Sequence, residues 1–315
     1  MFQILIFLVK TVIVYSFPAL SLLGLITNTL SFYIFSRKSF KNTIFSIYFR
    51  FFLIDQILNL LMPINKMFEL NFNLYFSRIS NFTCKLRYFY GNVNYSISAW
   101  LLVLISFDRY LTISHPVKFL VRKRPILQIL ACCSIIAFSI CFNISSMFFY
   151  LKETKTNTTE STNLTQIKII KRCVTPNFWF QVMKMIQSIL TPFLLMIIFT
   201  TLTIRNIFKS RQQASCSNRS SSITVQSSKD RKLTISSIAN NALFLLFNLP
   251  YILLNLINDY TNLFVNLNDL FMIVEAVSFL FLYIDISLTF FINYFVNSMF
   301  RKEMKIIFSG KNNKN

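Results

Sequence analysis

The chain has 315 residues, of which 54% are hydrophobic and 14% charged, with a formal net charge of +21. That is too little charge to cover a water-soluble fold of this size. The excess of Lys and Arg does not mark a nucleic-acid binder, because the basic residues sit at the ends of apolar runs and leave no basic face clear of a membrane.

Seven apolar runs are predicted to form helices, over residues 4–35, 43–68, 84–113, 125–150, 178–208, 231–258 and 267–298. Each can supply the roughly 20 apolar helical residues that a bilayer crossing needs. The fold expected is an all-α membrane bundle with seven crossings, one domain over residues 1–310. No cleavable leader is read at the amino terminus, so the first crossing is expected to act as its own insertion signal. A shorter run, 299–308, places Phe300, Met304, Ile307 and Phe308 on one face and Arg301, Lys302 and Lys305 on the other. It predicts an amphipathic helix lying in the membrane interface.

The connections fix an orientation. Arg37, Lys38 and Lys41 follow the first run, Lys118, Arg122, Lys123 and Arg124 the third, and the fifth connection carries Lys209, Arg211, Arg219, Lys229, Arg231 and Lys232. Positive residues collect on the cytoplasmic side, so the carboxyl terminus is expected inside and the amino terminus outside. The glycosylation acceptors Asn81, Asn157 and Asn163, each in an Asn-x-Ser/Thr triplet, then fall outside, as attachment requires. Residues 152–166 read as a polar loop, and Gln166 to Cys173 alternates like a strand of a small hairpin. The Ser-rich stretch 210–228 reads as a flexible cytoplasmic loop.

There are six cysteines and one histidine. A His-based metal site is therefore not expected. Cys132, Cys133 and Cys141 lie in an apolar run and read as packing residues, and Cys216 lies in the Ser-rich loop. Cys84 and Cys173, both near helix ends, are the candidates for one bridge on an oxidising face.

Polar groups at membrane depth are costly and mark candidate sites. Asp55 and Asp285 are mid-run, with Asn28, Asn94, Ser98, Asn248 and Thr289 at comparable depth. They read either as a cation site with oxygen ligands, a proton-sharing pair, or an interhelical hydrogen-bond network. Asp108-Arg109-Tyr110 falls where the third crossing meets the cytoplasm.

The stretch SFDRYLTISHPVKF, residues 106–119, resembles the end of the third helix and the second cytoplasmic loop of rhodopsin-like G protein-coupled receptors. Other landmarks keep that register: Asn28 in GLITNTL, Asp55 in LIDQIL, Cys84 before the third helix with Cys173 as its partner, Pro192, Pro250, and Phe300-Arg301. The resemblance covers nearly the whole chain. It implies that Arg109 pairs with Asp108 and with Asp230 at the foot of the sixth helix, holding a resting state. By the same resemblance Pro116 precedes Val117, the apolar residue that enters a G protein pocket. Asp55, Asn94 and Ser98 match the family's sodium site, with Asp285 where an asparagine is usual, which implies a Na⁺- or proton-sensitive resting state. No other cofactor is implied.

The chain departs from the family at its relay residues. Phe247-Asn248-Leu249-Pro250 lacks the sixth-helix tryptophan, although Phe244 remains. Thr289-Phe290 replaces Asn-Pro, with Asn293 or Tyr294 at the tyrosine position. Thr200 replaces the fifth-helix tyrosine, and the fourth-helix tryptophan is absent.

The resemblance implies a ligand pocket between the outer halves of the third, fifth, sixth and seventh helices. Gly91 stands where amine receptors carry aspartate, and Tyr283 where opsins carry the retinal lysine, so both ligand classes are disfavoured. Candidate lining residues are Asn65, Glu69, Asn92, Tyr95, Lys184, Tyr251, Asn255 and Glu275. This lining and the hairpin look most like neuropeptide receptors. The partners implied are an extracellular peptide or small molecule, a heterotrimeric G protein and the bilayer of the plasma membrane. The competing reading is a chemosensory or decoy receptor that binds ligand with weak or absent coupling. No nucleophile, base and acid converge, so an enzyme is not expected.

Overall fold

A computed structural model describes residues 2–41, 43–62, 68, 79–114, 125–148, 150–159, 165–174, 178–215, 221–261 and 268–309. Among the described residues, six helical stretches are long and apolar enough to cross a membrane: Val14–Phe35, Asn81–Ser114, Pro125–Phe148, Val182–Lys209, Lys232–Tyr251 and Ile273–Val296. The second helix, Ile44–Asn59, is described over 16 residues and carries Arg50 and Asp55. It packs against the first, third and fourth helices and completes the bundle of seven. The third helix, Asn81–Ser114, also packs on the fourth and fifth, and the seventh, Asn268–Val296, on the first and sixth.

Local chemistry shapes each rod. Pro192 has no N–H to donate, and its ring crowds the carbonyl four residues back. The fifth helix accommodates it with a π turn over Ile186–Leu190, between Phe178–Met185 and Thr191–Ser215. The sixth helix, Ser221–Thr261, carries Pro250 inside it. Asn297 caps the amphipathic helix Ser298–Phe308, its side chain accepting from the Met299 and Phe300 amides at 3.0 and 3.4 Å.

Expected boundaries change in three places. The fourth helix, Pro125–Asn143, tightens into a 3₁₀ turn over Ile144–Phe148 instead of running as α-helix to 150. Residues 152–166 are not all loop: Tyr150–Thr159 pairs antiparallel with Thr165–Val174. The Ile-rich second strand satisfies the backbone of the polar, Thr-rich first one, which a composition reading of one segment misses. The stretch 210–228 is not one loop either, since the fifth helix continues to Ser215 and the sixth starts at Ser221. Arg211, Gln212, Gln213 and Ala214 are good helix formers that prolong the fifth rod.

Phenylalanines floor the end of the bundle that carries the amphipathic helix. Phe35 stacks near Phe49 (ring centroids 4.9 Å) and Phe300 (5.5 Å), and Phe290 meets Phe300 at 5.5 Å. Phe300 is fully buried, so the amphipathic helix is fastened beneath the first and seventh helices. Arg37 pairs with Glu303 at 2.8 Å and Ser39 donates to it at 2.6 Å, tying the connection after the first helix to the same amphipathic helix.

Candidate functional site

Two polar layers cross the bundle. In the middle layer Asp55, 4% exposed, accepts from the Ser98 hydroxyl and from Asn59 Nδ2 at 3.3 Å. Asn59 Nδ2 and Gln56 Nε2 also reach Ser98 Oγ, at 3.2 and 3.4 Å. The second and third helices are thus joined by a carboxylate, a hydroxyl and two amides. Asn28 Nδ2 donates to the carbonyls of Gly24 (2.9 Å) and Ile286 (3.2 Å), which joins the first helix to the seventh. Asp285, 6% exposed, takes Asn248 Nδ2 at 3.4 Å, while that amide donates more closely to the Phe244 carbonyl at 2.7 Å. Thr289 donates back to the Asp285 carbonyl at 3.3 Å.

The sequence grouped the two carboxylates; the structure gives them separate donors, on the second and third helices for Asp55 and on the sixth for Asp285. Asp55 Oδ1, Asn28 Oδ1 and Gln56 Oε1 are buried acceptors with no hydrogen-bond partner among the described residues. A donor set of carboxylate, hydroxyl and amide oxygens fits a hard monovalent cation. No group of three or more His, Cys, Asp or Glu that could hold a metal ion occurs among the described residues. Asn94 is buried, with Nδ2 unpartnered among the described residues, and that donor does not serve a cation.

The second layer, at the end of the bundle that carries the amphipathic helix, centres on Arg109. Its Nη2 meets Asp108 Oδ2 at 2.5 Å, and both side chains are about one-twentieth exposed, at 4% and 6%. The guanidinium also lies over the Phe45 ring, 5.2 Å from its centroid, a cation–π contact that holds the charge against the second helix. Tyr110 packs on Phe199 at 6.1 Å. Pro116 and Val117, and the side chain of Asp230, lie outside the described residues. Nearby, Asn241 Nδ2 donates to Ser106 Oγ (2.6 Å) and Thr200 Oγ1 (3.1 Å), which ties the sixth helix to the third and fifth. Ser236 donates to Asn293 Oδ1 at 2.7 Å and Lys232 to Ser298 at 2.8 Å, which ties it to the seventh helix and the helix beneath. Asn293 is fully buried and Tyr294 only half-buried, so Asn293 is the residue that faces the core where the sequence left two choices.

Sequence reading missed Asn59, Gln56, Ser236, Asn240 and Asn241. Asn59 stands one turn after Asp55, which was a usable signal. The adjacent amides Asn240-Asn241 inside an apolar run were another.

The half of the bundle away from Arg109 departs from expectation at one residue. Asn92 donates to Ser146 Oγ at 3.1 Å, so it faces the end of the fourth helix and not the expected pocket. Helical rotation is the reason: Gly91 and Tyr95 share a face, and Asn92 is turned about 100° from Gly91. Tyr95 packs on Phe244 (6.1 Å), which packs on Phe193 (5.9 Å). Tyr251 meets Phe279 at 4.7 Å, and Tyr283, 4% exposed, meets Phe17 at 5.9 Å. Arg87, Tyr90 and Tyr251 lie near enough to Tyr283 to interact with it electrostatically. A Cβ at Gly91 would come within 2.9 Å of Met62 Cε, so a side chain there needs Met62 to move. Lys184 and Glu275 are half-buried. Asn65, Glu69 and the side chain of Asn255 lie outside the described residues. So do the side chains of Cys173 and Asn157, and all of Asn163; Asn81 is exposed at the start of the third helix. Cys84 is disulfide-bonded, while Cys132, Cys133 and Cys141 are free.

A bundle of seven helices with buried polar layers and an acid–Arg pair at one end defines a membrane receptor architecture. The sequence model of the family described as 7 transmembrane receptor (rhodopsin family) matches residues 27–287, and the chain belongs to that family. It is a multi-pass membrane protein. No curated protein matches the chain.

Proposed function

We propose that this receptor binds an extracellular ligand, most simply a short neuropeptide, and activates a heterotrimeric G protein at its cytoplasmic face. The observation that carries this reading is the buried Asp108–Arg109 pair at 2.5 Å. An Arg fork held in a partly dry cleft is a two-position element, and binding elsewhere biases it. Asp230 is the second acid of that element, and Val117 the residue that enters the G protein. The amino terminus is outside and the carboxyl terminus inside, by the asymmetry of Lys and Arg. Cys84 pairs with Cys173, and Asn81, Asn157 and Asn163 carry glycans on the same outer side.

The pocket reading rests on Tyr95, Tyr251, Lys184 and Glu275, with Arg87 added and Asn92 removed. A peptide offers charges of both signs, and the half-buried Lys184 and Glu275 offer both in return. The resting state binds Na⁺ at Asp55, supported by the unpartnered acceptor oxygens around it. Asp285→Asn is expected to change the sodium sensitivity of agonist affinity; an unchanged dependence on both sodium and pH would remove Asp285 from the site.

Nucleotide exchange on a panel of G proteins, with a peptide library as the ligand source, tests the main reading. Stimulated exchange that is lost in Arg109→Ala supports it. A second reading is favoured by Asn248, Asn293 and Thr200, which stand where the relay residues of the family are expected. A receptor of that kind binds ligand without coupling, and binding with no exchange on any G protein would establish it.

A further inference from the structure

A cavity of about 210 Å³ opens between the second, third and fourth helices, lined among others by Tyr48, Phe107, Asp108, Leu127, Gln128 and Ala131. We propose that it is a binding site for an uncharged, hydroxyl-bearing membrane lipid of the monoacylglycerol class. It lies at the level of Asp108, away from the outer pocket of the third, fifth, sixth and seventh helices.

The polar wall sets the chemistry. Gln128 is 4% exposed and lines the cavity, and its side chain makes no hydrogen bond among the described residues. The residue is buried overall, so a polar group entering the cavity is the partner its amide can take. Its oxygen accepts and its nitrogen donates, and a hydroxyl does both in return. Asp108 brings a carboxylate to the same wall, already paired with Arg109 at 2.5 Å. An anionic headgroup meets that carboxylate, and a cationic one competes with Arg109. A neutral head meets neither penalty.

Water does not account for the space. The volume is roughly seven times the ~30 Å³ that one water occupies, and each water needs two to four polar partners. Apart from Gln128, Asp108 and Tyr48, every lining side chain among the described residues is apolar. A polyol head followed by methylenes matches one polar wall and an otherwise apolar lining. Access comes from the bilayer, because Leu127 lines the cavity and is 51% exposed, beside Ile126 at 69% and Leu130 at 55%. An acyl chain lies along that apolar strip and leaves the glycerol head inside.

The test is photolabelling of the full-length receptor in phosphatidylcholine nanodiscs with a diazirine-bearing monoacylglycerol. Labels are expected on segments 104–111 and 125–131, displaced by excess monoolein. Gln128→Leu is expected to weaken that displacement about fivefold, the factor one lost hydrogen bond is worth. Ala131→Phe, which fills the cavity, is expected to abolish the labels; if it fails to fold, Gln128→Leu carries the test. Equal labelling by fatty-acid or alkylamine analogues overturns the proposal. So do labels spread over all helices, displacement by free glycerol at the same concentration, or a Gln128→Leu receptor that labels like its parent.

Discussion

Asn240 and Asn241 are neighbours in sequence with opposite situations. Asn241 donates to Ser106 at 2.6 Å and to Thr200 at 3.1 Å. Asn240 is 4% exposed, and both its amide atoms lack a partner among the described residues. The 100° rotation per helical residue separates them. Asn241→Leu is therefore expected to cost about 1 kcal/mol, in the range of interhelical hydrogen bonds in membranes. Asn240→Leu is expected to stabilise the resting state by about 1–3 kcal/mol, the penalty of an unsatisfied buried polar group. Thermal unfolding in one detergent reads both, and shifts of the same sign would contradict this account. Ser98→Ala leaves a buried carboxylate short of a donor and is expected to lower stability by about 1–3 kcal/mol in the same assay. At this scale the sequence was legible for charges and poorly legible for amides. Asp55 and Asp285 stand out in apolar runs, whereas an amide's value depends on which way the helix turns it, as Asn92 also shows.

Among the elements, the amphipathic helix was readable almost to the residue, because its charges and phenylalanines separate onto two faces. Its attachment was not: the Asn297 cap and the Arg37–Glu303 pair join segments far apart in sequence. Asn297→Ala is expected to cost about 0.5–2 kcal/mol, seen as faster amide hydrogen exchange over 298–308. Glu303→Gln breaks a partly exposed pair, 25% and 14%, and is expected to cost at most about 1 kcal/mol. Equal effects from the two substitutions would mean that the cap contributes less than its geometry implies. The π turn before Pro192 and the strand Tyr150–Thr159 escaped the sequence for a different reason. A single proline announces a disturbance without its form, and a polar strand is recognisable only beside its partner.

For the whole molecule, hydropathy and charge bias were enough for a bundle of seven helices, and the register of Cys84, Asp108-Arg109-Tyr110, Pro192, Pro250 and Phe300 for the family. Function is less legible, because the candidate lining residues are spread over several helices and carry no contiguous motif such as Asp108-Arg109-Tyr110. The fold retains an Asp–Arg pair while replacing relay tryptophan and tyrosine positions with Asn248, Thr200 and Asn293. Asn248, Thr200 and Asn293 each take part in a hydrogen bond to another helix. The bonds that Asn241 donates to Ser106 and Thr200, and Ser236 to Asn293, join the sixth helix to the third, fifth and seventh and must break if that helix swings outward. Coupling is the central claim, and ligand-stimulated nucleotide exchange by the reconstituted receptor tests it most directly. The account predicts exchange that rises with ligand and disappears in Arg109→Ala while ligand binding persists. Exchange that survives Arg109→Ala unchanged, or ligand binding that stimulates no G protein, would contradict it.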